Sequence, residues 1–398
     1  MENNLAIHGG KPVRSTYLPY GKQYIDKNDI EAVVNVLNGK YLTTGPKIKE
    51  FEDKVAKYVG AKYAVAVSNG TAALHSACYA AGIKNGDEII TSPITFAASA
   101  NCILYCGGKP IFADINPHTY NINPKEIEKK ITNKTKAIIP VHFTGQSVNL
   151  DPILELARKY NLIVIEDAAH ALGTKYKDKH IGSISHMTEF SFHPVKTITS
   201  GEGGVITTNS EKFYEKLILF RTHGITKNKD FMNNKDKGPW YYEQIDLGYN
   251  YRITDLQCAL GISQLDKIDD FIKRRKELVN MYDEELSKID GIIIQKEEEF
   301  SDTSRHLYII NLDLDKFIVG RKEIFEALLA ENIGVNVHYL PVYLHPYYQK
   351  LGYKKGLCPI AEKLYKSIIT LPLYPKMDDK DFSDVIKAVN KVLDYYRK

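Results

Sequence analysis

The chain has 398 residues, is 43% hydrophobic and 26% charged, and carries a formal net charge of +4. That length accommodates one large and one small domain around substantial cores. So small a net charge, with no basic block, gives nucleic-acid binding no support, and no apolar run reaches the length of a membrane span.

The opening stretch Met1 to Ser15 (MENNLAIHGGKPVRS) holds no apolar segment of signal-peptide length. From residue 63 to 208, short β-branched runs alternate with amphipathic stretches. The periodicity predicts strands at 63–67, 88–91, 110–113, 137–141, 162–166, 188–192 and 205–208. Helices are predicted between the early ones, at 71–81, 97–106, 124–131 and 152–160. Apolar strands separated by helices imply an α/β fold whose mostly parallel, seven-stranded sheet is covered on both faces. The last three strands have shorter links, which leaves room for an antiparallel member. Near residue 260 the texture changes to long charged helices (267–289) and then a shorter αβ stretch. A large domain over 1–259 and a smaller C-terminal α/β domain over 260–398 are therefore expected. Cys78, Cys102, Cys106, Cys258 and Cys358 are scattered; Cys102 and Cys106 fall one helical turn apart, but no second Cys or His pair completes a zinc site. They read as reduced core thiols of a cytoplasmic protein that needs no metal.

Three groups of residues point to chemistry. Ser68 to Leu74 (SNGTAAL) follows a strand and opens a helix, where small residues and free N–H groups suit a phosphate. The same turn also reads as an ordinary helix cap, and it lacks both the Walker and the Rossmann glycine spacing. Glu166 to His170 (EDAAH) lies at the carboxyl end of a predicted parallel strand, the edge where ligands bind in such sheets. An aspartate there serves to hold a protonated heteroaromatic nitrogen, as pyridoxal-phosphate (PLP) chemistry requires, or simply caps the next loop. Ser191 to Gly204 (SFHPVKTITSGEGG) sets Lys196 among small residues after a strand, unlike a solvated helix lysine. A lysine that bonds covalently to an aldehyde cofactor needs close approach and a lowered pKa.

These motifs together resemble the DegT/DnrJ/EryC1/StrS family of nucleotide-sugar aminotransferases. The likeness continues through Leu5 to Arg14, Thr44-Gly45-Pro46, Phe51-Glu52, Arg221 to Gly224 (RTHG), Gly248 to Arg252 (GYNYR) and Val337-His338-Tyr339. The resemblance implies a type I PLP-dependent transferase fold and a homodimer with shared active sites. It implies that Lys196 bonds the cofactor and shuttles protons, and that Asp167 pairs with the ring nitrogen. Gly70, Thr71 and Ser191 correspond to the phosphate cup, Phe96 to the aromatic stacked on the ring, and His170 to a ring-side contact. Asn250 corresponds to an asparagine that reaches the phosphate from the partner subunit, while His193 has no assigned role. Within the family, 37–43, 304–308 and 337–343 are most similar to aminotransferases of the pseudaminic-acid pathway. That likeness implies transfer from L-glutamate to C4 of a UDP-linked 4-keto-6-deoxy amino sugar for a cell-surface or flagellar glycan, with pyridoxamine phosphate formed between half-reactions. It places Tyr20, Lys40, Thr43, His306 and His338 near the sugar nucleotide. The alternatives are an aminotransferase for a dTDP- or GDP-linked 3- or 4-keto sugar, a sugar dehydratase, and a non-catalytic regulatory relative. The dehydratases tend to carry histidine in place of the lysine, and a regulatory relative is expected to lose Lys196 or Asp167; both are present here.

Overall fold

The computed structural model describes residues 4–235 and 237–398. All seven predicted strands enter one sheet: β1 (Tyr63–Val67), β2 (Glu88–Thr91), β3 (Lys109–Phe112), β4 (Thr135–Ile139), β5 (Ile163–Asp167), β6 (Met187–Ser191) and β7 (Gly204–Thr208). Their order is β1-β7-β6-β5-β4-β2-β3. Pairs from β3 through β6 are parallel, whereas β7 runs antiparallel to both β6 and β1. A parallel return needs a long crossover, usually a helix. The link between β6 and β7 contains none, so the chain turns back beside its own strand. That helix-free link is the loop bearing Lys196.

Alternation along the strands sorts side chains to two faces. Ala64, Ala66, Ile90, Ile138, Val164 and Val205 pack with α1 (Pro46–Val59), α4 (Leu150–Tyr160) and α6 (Asp255–Leu265). Their neighbours Val65, Val67, Ile89, Ile139, Ile165 and Ile206 pack with α2 (Gly70–Ala80), α3 (Ala98–Tyr105) and α5 (Glu211–Arg221). Both faces are dry, as the near-continuous apolar strands require.

A second sheet is antiparallel: β8 (Ile292–Ile294), β9 (Tyr308–Leu312) and β10 (Ile368–Leu371), in the order β8-β9-β10. Tyr308 and Ile310 face the C-terminal half of α7 (Ile268–Leu286), α8 (Arg321–Ala330) and α9 (Asp379–Tyr396). Ile309 faces the other way, into a cluster with Phe112 and Phe143 that joins this sheet to the edge of the large one. Leu5 and Leu18 pack inside the C-terminal cluster, so the N-terminus returns to the far end of the chain. No described helix is long and apolar enough to cross a membrane.

The N-terminal return is fastened by Glu331, which is fully buried. Its carboxylate accepts from Ala6 N at 2.9 Å and Val13 N at 2.8 Å, and pairs with Lys391 Nζ at 2.8 Å. Glu331→Ala leaves two donors and an ammonium without their acceptor, and is expected to cost about 3 kcal/mol. Urea unfolding is expected to show the lower midpoint at an unchanged slope; a midpoint equal to that of the parent protein would mean that the anchor contributes nothing.

Candidate active site

The parallel strands end at one edge of the large sheet, and the chemistry-bearing groups gather there. Strand β5 delivers Asp167 as its last residue, and β6 delivers Ser191 as its last. Helix α2 begins beside them at Gly70, with the Asn69 side chain accepting from Ala72 N at 2.8 Å. The N–H groups of Gly70 and Thr71 open that helix and have no helical partner. Gly70 is needed for packing: a Cβ on it would stand 2.6 Å from Glu189 Oε1 and 3.0 Å from Ser191 Cβ. Helix start, Ser191 hydroxyl and tight glycine together form a cradle of the size and polarity that a phosphate fits.

Asp167 is 5% exposed. Its Oδ2 accepts from Ser99 Oγ at 2.5 Å, Ser99 contacts Thr95 Oγ1 at 2.6 Å, and Oδ1 accepts from Ala169 N at 3.2 Å. Donors on both oxygens orient the carboxyl group. The preceding Glu166 points to the opposite face and is structural. It meets His142 Nε2 at 2.7 Å and accepts from Thr188 Oγ1 at 3.0 Å. His142 Nδ1 accepts from Val148 N at 3.1 Å, so its proton sits on Nε2, toward Glu166.

Lys196 is half-buried, and burial of its amine lowers the pKa to about 8, with Asp167 pulling the other way. A neutral amine is thereby present in quantity near neutral pH, as a nucleophile and proton carrier needs. Around it stand three buried histidines, His170, His306 and His338. Burial depresses all three, His338 to about 3, with the positive charge of Lys196 as a further cause. They are neutral rings that donate and accept. The rings of His170 and His306 lie 4.4 Å apart, and Tyr20 lies 5.4 Å from His338. His338 Nδ1 meets Thr370 Oγ1 at 2.8 Å, and Tyr339 Oη meets His170 Nε2 at 3.3 Å. Nδ1 of both His170 and His306 is buried without a partner. Two polar atoms left open beside a reactive amine are what a polar ligand would satisfy. The whole set therefore fits PLP, with a second ligand on the histidine side.

The protomer thus brings together Lys196, Asp167, Gly70, Thr71, Ser191, His170, Tyr20, His306 and His338. Phe96 stands at the rim, 64% exposed, its ring 6.4 Å from that of Tyr339. Lys40, Thr43 and Asn250 are on the surface, outside this cluster, and His193 is exposed. Thr43 bridges to Thr254 and Asn250 to Thr222. A surface cleft of about 660 Å³ at the opposite end of the strands, between Glu88, Lys109 and Tyr353, contains none of these groups.

Sequence reasoning missed Ser99, Glu189, Tyr339 and Arg275. Glu189 had a signal, a lone acid in the middle of a buried strand. Arg275 is 1% exposed and its guanidinium donates to the carbonyls of His306 at 3.2 Å and Leu373 at 2.9 Å. Leu373 N in turn donates to Tyr20 O at 3.0 Å, so one buried cation ties His306 to Tyr20. Other motif residues are scaffold. Arg221 donates to Ala66 O at 2.7 Å and pairs with Glu52, joining α5, β1 and α1. His223 N donates to Tyr249 O at 3.0 Å, which locks the RTHG turn to the GYNYR segment and presents Asn250.

The lowered Lys196 pKa has a direct readout. Its amine is charged below about pH 8 and neutral above, so labelling by an amine-directed reagent is expected to rise through that pH, well before the surface lysines react. Asp167 favours the charged form, so Asp167→Asn is expected to move the midpoint lower. A midpoint near that of a solvated lysine, about 10.4, would contradict the burial of the amine.

A family model for the DegT/DnrJ/EryC1/StrS aminotransferase family matches residues 23–390. The spore coat polysaccharide biosynthesis protein SpsC of Bacillus subtilis is 44% identical over 382 residues, covering 96% of this chain and 98% of SpsC. A UDP-4-amino-4,6-dideoxy-N-acetyl-beta-L-altrosamine transaminase of Campylobacter jejuni is 40% identical over 96% of this chain and 99% of its own length. Among solved structures, Helicobacter pylori PseC, an aminotransferase involved in the biosynthesis of pseudoaminic acid, superposes with a TM-score of 0.89 at 33% identity, over 96% of this chain and 100% of PseC. The PLP form of the sugar aminotransferase Spr1654 from Streptococcus pneumoniae gives 0.87 at 30% identity, over 95% and 99% of the two chains. With its family model spanning most of the chain and its lysine, aspartate and phosphate cradle assembled at one sheet edge, this protein belongs to the DegT/DnrJ/EryC1/StrS aminotransferase family.

Proposed function

We propose that this protein binds PLP and transfers an amino group from L-glutamate to the C4 keto group of a UDP-linked 4-keto-6-deoxy amino sugar, in a route to a pseudaminic-acid-type glycan. The observation that carries the reading is the Lys196 amine, held partly neutral beside Asp167 at the start of α2. In this reading residues 1–259 form the cofactor-binding domain, and 260–398 bring His306 and His338 to the substrate side.

Bound PLP would supply an electron sink for the pair released when a C–H bond beside the amino group breaks. Lys196 would hold the cofactor through Nζ, and as a free neutral amine it would take the proton from the donor's Cα and, as the ammonium so formed, give that proton back. With a pKa of about 8 it does both near neutrality. Asp167 would face the ring nitrogen and favour its protonated form, and Ser99 Oγ and Ala169 N, each donating to one of its oxygens, orient it for that task. Gly70 N, Thr71 and Ser191 would hold the phosphate, and Phe96 at the rim would cover the ring. His170, His306 and His338, all neutral, offer hydrogen bonds to sugar hydroxyl and keto groups without adding charge. Asn250, Lys40 and Thr43, exposed on the protomer, act across a homodimer interface. A second reading keeps the same chemistry with another nucleotide-linked 3- or 4-keto sugar as acceptor; SpsC, 44% identical, is named for spore coat polysaccharide biosynthesis and not for a pseudaminic-acid route.

The test is a half-reaction followed by visible absorbance of the PLP-loaded protein. Glutamate is expected to bleach the cofactor band, and a UDP-linked 4-keto-6-deoxy sugar to restore it. Restoration only by dTDP-, GDP- or 3-keto sugars would select the second reading, and no band with added PLP would overturn both. Lys196→Ala is expected to abolish turnover. Ser99→Ala, which removes one hydrogen bond to the Asp167 carboxylate, is expected to lower kcat about tenfold with folding intact.

A further inference from the structure

Glu189 lies in the middle of β6, fully buried, and among the described residues neither of its carboxyl oxygens has a hydrogen-bond partner. Its place is tightly defined. It is the cross-strand neighbour of Asp167 on β5, and the Asp167 carboxyl is one of the groups that push its own upward. On the other side it is wedged against Gly70, where an added Cβ would stand 2.6 Å from Oε1. The titratable groups that face it are Asp167 on β5, Lys196 in the following loop and Cys102 on α3.

Two buried acids therefore adjoin one half-buried amine. Asp167 has Ser99 Oγ and Ala169 N as donors, and Glu189 has none. An ionised carboxylate with no donor is costly to bury, and two adjoining acids cannot both ionise cheaply. A single proton resolves both costs when it sits on the acid that lacks donors. Burial and the neighbouring Asp167 both push the Glu189 carboxyl upward, against the pull of Lys196. We propose that Glu189 is the neutral partner of Asp167: its O–H donates to the Asp167 carboxylate, and the pair carries one negative charge beside Lys196. Glu189 is thus a positioning residue that orients Asp167 and fixes the charge opposite the cofactor ring. Its place in catalysis rests on the PLP reading above, whereas its protonation does not.

The first test needs no cofactor. In the full-length protein at neutral pH, with glutamate carboxyls isotopically labelled, infrared spectroscopy is expected to show a protonated carboxylic acid band that disappears in Glu189→Gln. Absence of the band, or its persistence in Glu189→Gln, would overturn the proposal. A second readout is the pH midpoint of Lys196 labelling. Glutamine preserves a neutral donor, so Glu189→Gln is expected to leave the midpoint in place, whereas a drop would mean that an ionised carboxylate had been removed. With cofactor bound, Glu189→Leu is expected to lower kcat about tenfold at unchanged KM, the size of one hydrogen bond to a charged group. Glu189→Gln is expected to recover most of that loss. Equal kcat in both variants would remove the positioning role. Failure of PLP to bind at all would sink the functional reading while leaving the infrared and labelling results decisive for Glu189.

Discussion

A half-buried amine beside two buried carboxyl groups is the constraint on which the site depends. Taking ionisable groups out of water is affordable only where charge is nearly balanced and each remaining lone pair finds a donor. The surroundings of Lys196 meet that condition by keeping other groups uncharged. Burial pushes His170, His306 and His338 well below neutrality and pushes Tyr339 far above it, so none adds a charge. What remains is Lys196 against Asp167, with Glu189 as the proposed third member. The start of α2 adds partial positive charge from its open N–H groups, which draws an anionic ligand to the same spot.

Holding that arrangement requires the two sheets to be registered against each other. The large sheet carries Asp167 and Lys196, while His306 and His338 come from strands and loops around the small one. Arg275 makes the link from inside. It pairs with carbonyl oxygens and no carboxylate, so burial lowers its pKa only to about 10 and it stays charged at neutral pH. A buried guanidinium donating to backbone carbonyls fixes where those backbones lie, and here they are those of His306 and of Leu373, whose N–H holds Tyr20 O. The apolar cluster around Phe112, Phe143 and Ile309 closes the seam alongside.

Periodicity made the large sheet legible because both of its faces are dry. Alternate residues of each strand had to be apolar, and a helix had to cross between parallel neighbours. Strand limits at 63–67 and 88–91 coincide with the observed ones, and the other five differ at one or both ends by a residue or two. The predicted helix at 124–131 stops at Glu128, where Lys129 N already bonds back to the preceding turn. The site was legible only where a residue type announced itself, as Lys196 did among glycines and Asp167 at a strand end. Ser99 and Glu189 act through their neighbours across the sheet and at its edge, and sequence spacing does not say which groups those are. Conversely, Glu52 and Arg221 stand out as motif residues, yet they meet each other and the β1 backbone, far from any reaction.

Charge accounting also bears on where a nucleotide would go. A sugar nucleotide brings a diphosphate, which is held by cations or by rows of N–H donors. The cluster around Lys196 offers neither on its substrate side, since its histidines are neutral and the open helix start is assigned to the cofactor. Within one protomer, Lys40 lies exposed on a segment whose backbone is fixed by Asp255, which accepts from Gly45 N at 2.8 Å and Lys47 N at 2.9 Å and whose own N–H donates to Leu42 O at 3.0 Å. An exposed loop whose cation has no acidic partner among the described residues is of little use to its own core and well suited to a ligand that arrives from outside. Asn250 is held in the same way, on a strut built from the RTHG turn, where Gly224 must be glycine because a Cβ would meet Asp246 O at 1.8 Å. In the proposed reading, the two struts and the rim Phe96 point to a site that a second copy completes: the protomer supplies the amine, the acid and the neutral sugar contacts, and the diphosphate meets its charge at the interface.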